Sequence, residues 1–275
     1  MIVEKRVILL NKNWLFSRAE ENGMTAPEYV CLPHSVKLTP ANSSGCRNFQ
    51  GVCKYLKSIF VPHEYKGKKL FLRFEGAMGK SALYINGTEV SRHFCGYTPF
   101  ITDITDNVNY GEENEIAITL DNSDDPLIPP GKPQDGLDFS YDGGLYRSVT
   151  LTVCEPLYIT DPILANEAAG GGIFVWYTDV SESSAAVHIR AHIKNEYPEM
   201  KNYSAVIALI SPDGQRVAES KLNSCLSTGC REYIETELKV CSPSLWSPES
   251  PLLYTLEASL LINDEPVFCD NTEIG

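Results

Sequence analysis

Hydrophobic and polar residues alternate along most of the apolar segments of this chain. Leu70, Leu72 and Phe74 share one side of such a segment, and Arg73 lies on the other. A period of two is typical of a β-strand, because successive side chains of a strand point to opposite faces. The same alternation recurs at residues 116–120, and no stretch combines helical spacing with helix caps. The pattern predicts an all-β protein.

The strongest local signal is a hairpin at Asn86-Gly87. Residues 83–85 and 88–90 flank this dipeptide as strand-like runs, and a two-residue type I′ turn requires positive φ at both of its central positions. A protein with many short strands buries its faces as a sandwich or a barrel. Residues 1–154 are therefore predicted to form an N-terminal jelly-roll-like β-sandwich.

A second set of strands follows Glu155-Pro156, where proline cannot donate a hydrogen bond to a ladder. Turn signals separate seven strand candidates, at residues 173–178, 187–194, 205–210, 216–220, 233–240, 253–262 and 266–273. That number and spacing are typical of an immunoglobulin-like sandwich. Residues 155–275 are predicted to form this second domain, without the Cys…Trp…Cys pattern of antibody domains.

One polar stretch, residues 135–151, predicts a loop tip that feeds the last strand of the first domain. It pivots on Gly143-Gly144, and glycine permits positive φ or a close backbone approach. Around this pair stand candidate binding residues, namely Asp138, Phe139, Tyr141, Asp142 and Arg147. The alternative is a tight turn above a structural arginine, because turns favour the same residue types. The proline-rich segment at 122–139 is long for a structureless loop, and a functional role is predicted for it.

Charge and cysteine content narrow the classes of partner and compartment. The net charge of −13, from 36 acidic and 23 basic residues, argues against a nucleic-acid partner, which needs a basic face. The longest apolar run near the N-terminus, residues 7–10, is too short for a signal peptide or a membrane span. Nine cysteines without paired short spacings favour free thiols in a reducing cytoplasm. A secreted or periplasmic location stays open if a leader was removed.

No pattern predicts a metal or a cofactor. His188 and His192 are four apart, but in a strand that spacing separates them by about 13 Å, too far for one metal ion. The acidic cluster at 121–125 offers oxygen ligands for calcium, yet it does not match an EF-hand loop and is more typical of a solvated turn. Trp176 and Trp246 are predicted to fill the core of the second domain.

Several motifs resemble glycoside hydrolase family 2, which includes β-galactosidases, β-glucuronidases and β-mannosidases. Asp-Gly-Gly-Leu-Tyr-Arg-Ser-Val-Thr-Leu at 142–151 resembles the signature that closes the sugar-binding domain of this family. Further segments agree in the same order along the chain, at Pro33-His34, Phe74-Glu75-Gly76, 83–87, 96–100, 103–105 and 245–254. Six such matches over nearly the whole chain make the resemblance specific.

The resemblance implies a function for the whole protein. Retaining glycosidases use two carboxylic acids about 5 Å apart, and in this family both are glutamates on a (β/α)₈ barrel that follows two sandwiches. Such a barrel needs about 250 residues of alternating strands and helices, and this sequence has no such pattern. The chain is therefore predicted to be the non-catalytic N-terminal part of a β-galactosidase-like enzyme, inactive alone. Carbohydrate and the missing C-terminal barrel are its predicted partners, and a homo-oligomer is possible.

The resemblance also implies two substrate contacts. Asp138 lies nine residues before Arg147, where the β-galactosidase branch places an aspartate that meets the sugar. The alternative is an aspartate that caps a turn. Asn48 is the candidate for a second contact, an asparagine on an early loop, although Gln50 aligns equally well.

Two other classes of function remain open from the sequence. The second hypothesis is a stand-alone carbohydrate-binding or adhesion module, and the third is a structural spacer that serves oligomer contacts. Binding of sugar by the isolated chain distinguishes the first of these from the glycosidase interpretation.

Overall fold

The part of the chain that the computed structural model describes comprises residues 5–36, 49–137, 139 and 141–275. It divides into two compact units. The first unit is Val7–Val153, and the second unit is Cys154–Gly275 together with Lys5 and Arg6. Both are built almost entirely of β-strands, so the predicted all-β class is confirmed.

The strands of the first unit form two sheets. One has the order β1-β11-β6-β9, and the other has the order β3-β2-β5-β10-β7-β8 with β4 paired to β2. Their bounds are β1 (Arg6–Leu9), β2 (Trp14–Glu20), β3 (Gly23–Met24), β4 (Glu28–Val30), β5 (Val52–Val61), β6 (Lys69–Phe74), β7 (Lys80–Ile85), β8 (Thr88–His93), β9 (Phe100–Asp103), β10 (Glu112–Asp121) and β11 (Val149–Cys154). Short 3₁₀ turns lie at His63–Tyr65 and Gln134–Gly136.

The core of the first unit lies between these two sheets. Leu70, Leu72 and Phe74 of β6 are fully buried, as their alternation predicts. They belong to one hydrophobic cluster with Tyr55 of β5 and Ile116 of β10. Because the cluster draws side chains from both sheets, the unit is a β-sandwich.

The predicted hairpin is confirmed at β7 and β8. Ile85 pairs directly with Thr88, and Asn86 and Gly87 between them have φ of 50° and 80°. These are the two positive φ angles that a type I′ turn requires. The side-chain amide of Asn86 also donates to the Asn114 side-chain oxygen at 2.8 Å, which fixes the turn against β10.

The second unit also consists of two antiparallel sheets. Strands β12, β14 and β13 form one sheet with β17 paired to β14, and the other has the order β16-β15-β18-β19. Their bounds are β12 (Leu157–Ile159), β13 (Ile173–Thr178), β14 (Ser184–Asn195), β15 (Lys201–Ile210), β16 (Arg216–Leu226), β17 (Arg231–Cys241), β18 (Tyr254–Ile262) and β19 (Glu265–Ile274). All seven predicted strands are present. Strand β12, with only three residues, is too short for its periodicity to be recognised.

Helical structure is sparse in the second unit. Helix α1 (Pro162–Ala165) is a single turn, capped by the Asp161 carboxylate, which accepts from the amides of Ile163 and Leu164. Across the ranges that the structure describes, helices are too short or too polar to cross a membrane.

The prediction that both tryptophans fill the second core is wrong. Trp176 lies on the outward face of β13, where its ring stacks on His188 at a centroid distance of 5.1 Å. Trp246 follows β17 in a loop and is 52% exposed. With Tyr177 and Tyr254 it lines an apolar cavity of about 310 Å³. The core is filled instead by aliphatic side chains of the paired strands, which have the alternation that a buried sheet face requires.

Candidate functional site

Residues 141–148, called the rim segment below, lie where several strands of the first unit end. Residues 34–36 follow β4, residues 75–79 connect β6 to β7, and residues 49–51 lead into β5. Residues 34–36 and 75–79 donate backbone hydrogen bonds to the rim segment, and Gly51 donates one to the side chain of Asn122. The rim segment is thus part of a junction of loops at one end of the sandwich.

Backbone hydrogen bonds hold the rim segment on two sides. On one side, the amides of His34 and Val36 donate to the carbonyls of Leu145, at 2.8 Å, and Gly143, at 3.1 Å. On the other side, the amide of Met78 donates to the carbonyl of Gly144 at 3.1 Å. Bonds to two separate neighbours fix the path of the segment before it enters β11.

The Gly143-Gly144 pair is required by close approach. Gly144 has φ of 102°, and a Cβ there would lie 2.4 Å from the phenol oxygen of Tyr55 and 2.9 Å from the carbonyl oxygen of His34. A Cβ on Gly143 would lie 2.7 Å from the side-chain nitrogen of Asn122. Only glycine fits at these distances, which explains the paired glycine of the signature.

Buried Tyr55 and half-buried His34 form a polar pair beneath the rim segment. The Tyr55 Oη lies 2.8 Å from His34 Nδ1 and accepts a hydrogen bond from the amide of Leu145 at 3.3 Å. Burial raises the pKa of Tyr55 far above its ordinary value. Burial also lowers the pKa of His34, against the opposing charge of Glu28. At neutral pH the phenol therefore keeps its proton, and it shares a hydrogen bond with the His34 imidazole.

Asn122 supports the neighbouring loop. Its side chain is buried, and its amide nitrogen donates to the carbonyl of Phe49 at 2.7 Å. Its amide oxygen accepts from the backbone nitrogen of Gly51 at 2.9 Å. One side chain thus satisfies two backbone groups of the segment that leads into β5, as buried polar groups require.

Tyrosine rings form the edge of this junction. The Tyr146 hydroxyl donates to the carbonyl of Gly96 at 2.5 Å, and the Arg147 guanidinium lies 5.5 Å from the centre of the Tyr146 ring. Tyr97 is exposed beside them, and its pKa is raised by burial and by the nearby phenols of Tyr141 and Tyr146. A phenol offers an apolar ring and a hydroxyl together, which suits a ligand with both kinds of surface.

The two predicted substrate contacts, Asp138 and Asn48, lie outside the described residues, and their roles stay predictions. Of the other candidates in the polar stretch, Phe139 is exposed, Tyr141 is buried and Asp142 is half-buried. Because Phe139 is exposed and Tyr141 is buried, the polar stretch presents only some of its side chains to solvent.

The sequence alone did not identify Tyr55 and Asn122 as residues that support the site. Tyr55 occupies a buried position in the alternating pattern of β5, where it looks like any core aromatic. Asn122 is the first residue after β10, where a polar residue suggests an ordinary turn. The only available signal was a polar group on a buried position, since such a group needs a partner.

The described ranges contain neither a cluster of metal ligands nor a disulfide. No three His, Cys, Asp or Glu side chains come together there as a metal site. The eight described cysteines are free thiols, and Cys46 lies outside the described residues. Burial, with a contribution from the Asp121 charge, raises the pKa of the Cys53 thiol to about 12, so this cysteine behaves as a core residue.

Comparison with known proteins gives curated relatives of two activities. A beta-glucuronidase of Formosa agariphila is 31% identical over 262 residues, covering 90% of this chain and 26% of that protein. A beta-glucuronidase of Bacteroides fragilis is 30% identical, covering 94% of this chain and 36% of the relative. A beta-galactosidase of Thermoanaerobacter pseudethanolicus is also 30% identical, covering 93% and 32%. The chain thus spans about a quarter to a third of the length of these relatives.

Solved structures share the whole arrangement of strands. A beta-glucuronidase from glycoside hydrolase family 2 superposes with a TM-score of 0.86 at 25% identity, covering 100% of this chain and 31% of the other. A putative beta-galactosidase from Bacteroides fragilis gives a TM-score of 0.85 at 26% identity, with coverage of 100% and 41%. The similarity is therefore to one portion of longer proteins.

Two family models account for most of the sequence. Residues 173–275 match the model for glycosyl hydrolases family 2, and residues 3–155 match the model for the sugar binding domain of that family. The resemblance inferred from the sequence motifs is confirmed. The chain belongs to glycosyl hydrolase family 2 and corresponds to an N-terminal part of its members that includes the sugar binding domain.

Proposed function

We propose that this chain is the non-catalytic, N-terminal part of a longer enzyme that hydrolyses terminal β-glycosides. The observation that carries the proposal is the rim segment, which lies in the region matched by the sugar-binding family model and is held by backbone hydrogen bonds at one end of a sandwich. The curated relatives named above are glycosidases that are three to four times longer than the matched region. The first unit would supply part of the wall of an active site.

The reaction itself needs groups beyond the rim segment. A retaining glycosidase places one carboxylic acid as acid/base and a second as nucleophile about 5 Å apart on either side of the glycosidic bond. The family resemblance puts both on a (β/α)₈ barrel, whereas the described residues form β-sheets with one short α-helix. We therefore expect the isolated 275-residue chain to be catalytically silent.

Within this proposal, Asp138 accepts hydrogen bonds from substrate hydroxyls. In the sequence it stands between Leu137 and Phe139, three positions before Tyr141, the buried first residue of the rim segment. Asn48 is the second proposed contact, two residues before Gln50. Support comes from the family motif for Asp138 and from the fixed path of the neighbouring backbone for both.

The sugar is the finer part of the proposal. The Asp138 position favours a β-galactoside, while the relatives include enzymes named for β-glucuronides and for β-galactosides. Nitrophenyl β-galactoside, β-glucuronide and β-mannoside, assayed with the full-length protein, identify the substrate. Hydrolysis of at least one supports the proposal, and inactivity toward all three contradicts it.

A parallel measurement separates this proposal from a stand-alone binding module. Titration calorimetry of the 275-residue chain against the free sugars is expected to show no binding at millimolar or tighter affinity, because the proposed active site also needs the barrel. Micromolar binding of a sugar by this chain would favour the carbohydrate-binding or adhesion function instead. Turnover by the isolated chain would refute the claim that it is non-catalytic.

A further inference from the structure

A single lysine bridges the two carboxylates at the start of the long loop after β10. Lys80 opens β7 and pairs in register with Asp121, the last residue of β10. Its ammonium nitrogen lies 3.1 Å from Asp125 Oδ2 and 3.7 Å from Asp121 Oδ2. The lysine therefore connects a strand end to the loop that follows it.

Asp125 in turn organises the loop. Its other carboxylate oxygen accepts from the amide of Leu127 at 2.9 Å, and its carbonyl accepts from the amide of Ile128 at 3.2 Å. The next turn is closed by the amide of Gly131, which donates to the carbonyl of Ile128 at 2.8 Å. The Leu127 amide and Lys80 both lower the pKa of Asp125, so the carboxylate stays charged at neutral pH.

Gln50 links the start of the loop to the rim segment. Its side-chain nitrogen donates to Asp124 Oδ1 at 2.5 Å and lies 3.4 Å from the hydroxyl of Tyr141. Asp124 is near the beginning of the loop, and Tyr141 begins the rim segment. The same glutamine therefore contacts both ends of the stretch in which Asp138 lies.

We propose that Lys80 and Gln50 are positioning residues that latch the loop of residues 122–137 onto the first unit. In this way they hold the rim segment in place. Three carboxylates lie within five residues where β10 passes into the loop, at Asp121, Asp124 and Asp125, and they repel one another unless a cation offsets them. The sequence left calcium open for this cluster, and the structure places the Lys80 ammonium there. This inference rests on the proposed glycosidase function.

The latch predicts a defined kinetic effect in the full-length protein. Lys80→Met, assayed on whichever nitrophenyl β-glycoside the wild type hydrolyses, is expected to raise KM by roughly three- to tenfold and to leave kcat within about twofold. A displaced rim segment weakens the binding of the substrate and of the transition state to the same extent, and a loss of such uniform binding raises KM. Lys80→Arg keeps the charge that bridges the carboxylates and is expected to restore KM to within about twofold.

The matched control is Lys221→Met. Lys221 makes an ion pair of similar length, 2.9 Å, with Asp264 on the second unit. Its removal is expected to change neither KM nor kcat. If Lys80→Met behaves like Lys221→Met, or if it lowers kcat with KM unchanged, the latch is refuted. If the wild-type protein hydrolyses none of the substrates, the proposed function fails, and the following measurement still tests the latch.

Hydrogen exchange of the 275-residue chain, read by mass spectrometry, reports on the loop without any substrate. Amides of residues 122–131 are expected to exchange about three- to tenfold faster in Lys80→Met than in wild type. Raising NaCl from 50 to 500 mM should accelerate these amides in wild type but not in the variant, because salt screens an exposed ion pair. Gln50→Leu should accelerate the same amides. Unchanged exchange in both variants would overturn the inference.

Discussion

The buried phenol of Tyr55 gives the sharpest test of how the rim segment is held. Tyr55→Phe removes one oxygen and keeps the ring, so the packing against Phe16 and Trp14, with ring centroids 4.9 and 6.4 Å away, is retained. What is lost is the hydrogen bond with His34 Nδ1 and the acceptor for the Leu145 amide. The substitution therefore isolates hydrogen bonding from core volume.

The magnitude follows from the burial of the groups left behind. Leu145 is 0% exposed, so its amide cannot turn to water when the phenol oxygen is removed. An unsatisfied buried donor costs about 1–3 kcal/mol. His34 is only half-buried, and its Nδ1 adds little because solvent replaces part of the lost bond. We expect the free energy of unfolding of the first unit to fall by about 1–3 kcal/mol.

Urea unfolding followed by tryptophan fluorescence measures this loss. The chain has three tryptophans, and replacing Trp176 and Trp246 with phenylalanine leaves Trp14, fully buried in the first unit, as the only reporter. The control is Tyr84→Phe in the same background. Its hydroxyl donates to Glu89 on the exposed hairpin, and its loss should cost less than about 0.5 kcal/mol.

Two results would refute the reasoning about Tyr55. A change below about 0.5 kcal/mol, equal to that of the control, would mean that the Leu145 amide finds another partner. A loss well above about 3 kcal/mol would mean that the phenol oxygen supports packing rather than two hydrogen bonds.

Three further predictions concern the same unit. Burial lowers the pKa of His34 in the folded state, so the unfolded state binds this proton more readily. The contribution to stability is therefore complete above the unfolded pKa of about 6.5 and falls as the pH drops below it. Urea midpoints between pH 7.5 and 5 should fall less steeply in His34→Gln than in His63→Gln, an exposed control, and equal slopes would contradict this. Gly144→Ala should lower the free energy of unfolding by about 2–4 kcal/mol, measured by urea denaturation, because its Cβ would lie 2.4 Å from a phenol oxygen at φ of 102°. A neutral effect would show that the segment is free to shift. Burial raises the pKa of Cys53 to about 12, so a thiol reagent should leave Cys53 unlabelled and modify the exposed Cys225, as read by mass spectrometry. Equal labelling of both would contradict the core assignment.

The sequence predicts well those features that depend on neighbouring residues. Asn86-Gly87 determines its turn locally, and the alternation of Leu70, Leu72 and Phe74 determines which face of β6 is buried. The motif that ends in Leu151 led to the family. In each case the information lies within a few consecutive positions.

The features that the sequence did not predict depend on residues far apart along the chain. The contact of Tyr55 with Leu145 spans 90 positions, and that of Gln50 with Asp124 spans 74. Period-two alternation reports burial but not the partner of a polar atom. Trp246 was misassigned for a related reason, because an aromatic residue outside a strand carries no periodic signal of the face on which it lies.

The central claim is that the sandwich contributes a substrate-binding rim to a reaction carried out by another part of the polypeptide. The most direct measurement is kcat/KM of the full-length protein and of its Asp138→Ala variant on the preferred nitrophenyl β-glycoside. Loss of hydrogen bonds between a carboxylate and substrate hydroxyls is expected to lower kcat/KM by about 10- to 150-fold. A variant with wild-type kcat and KM would contradict the account.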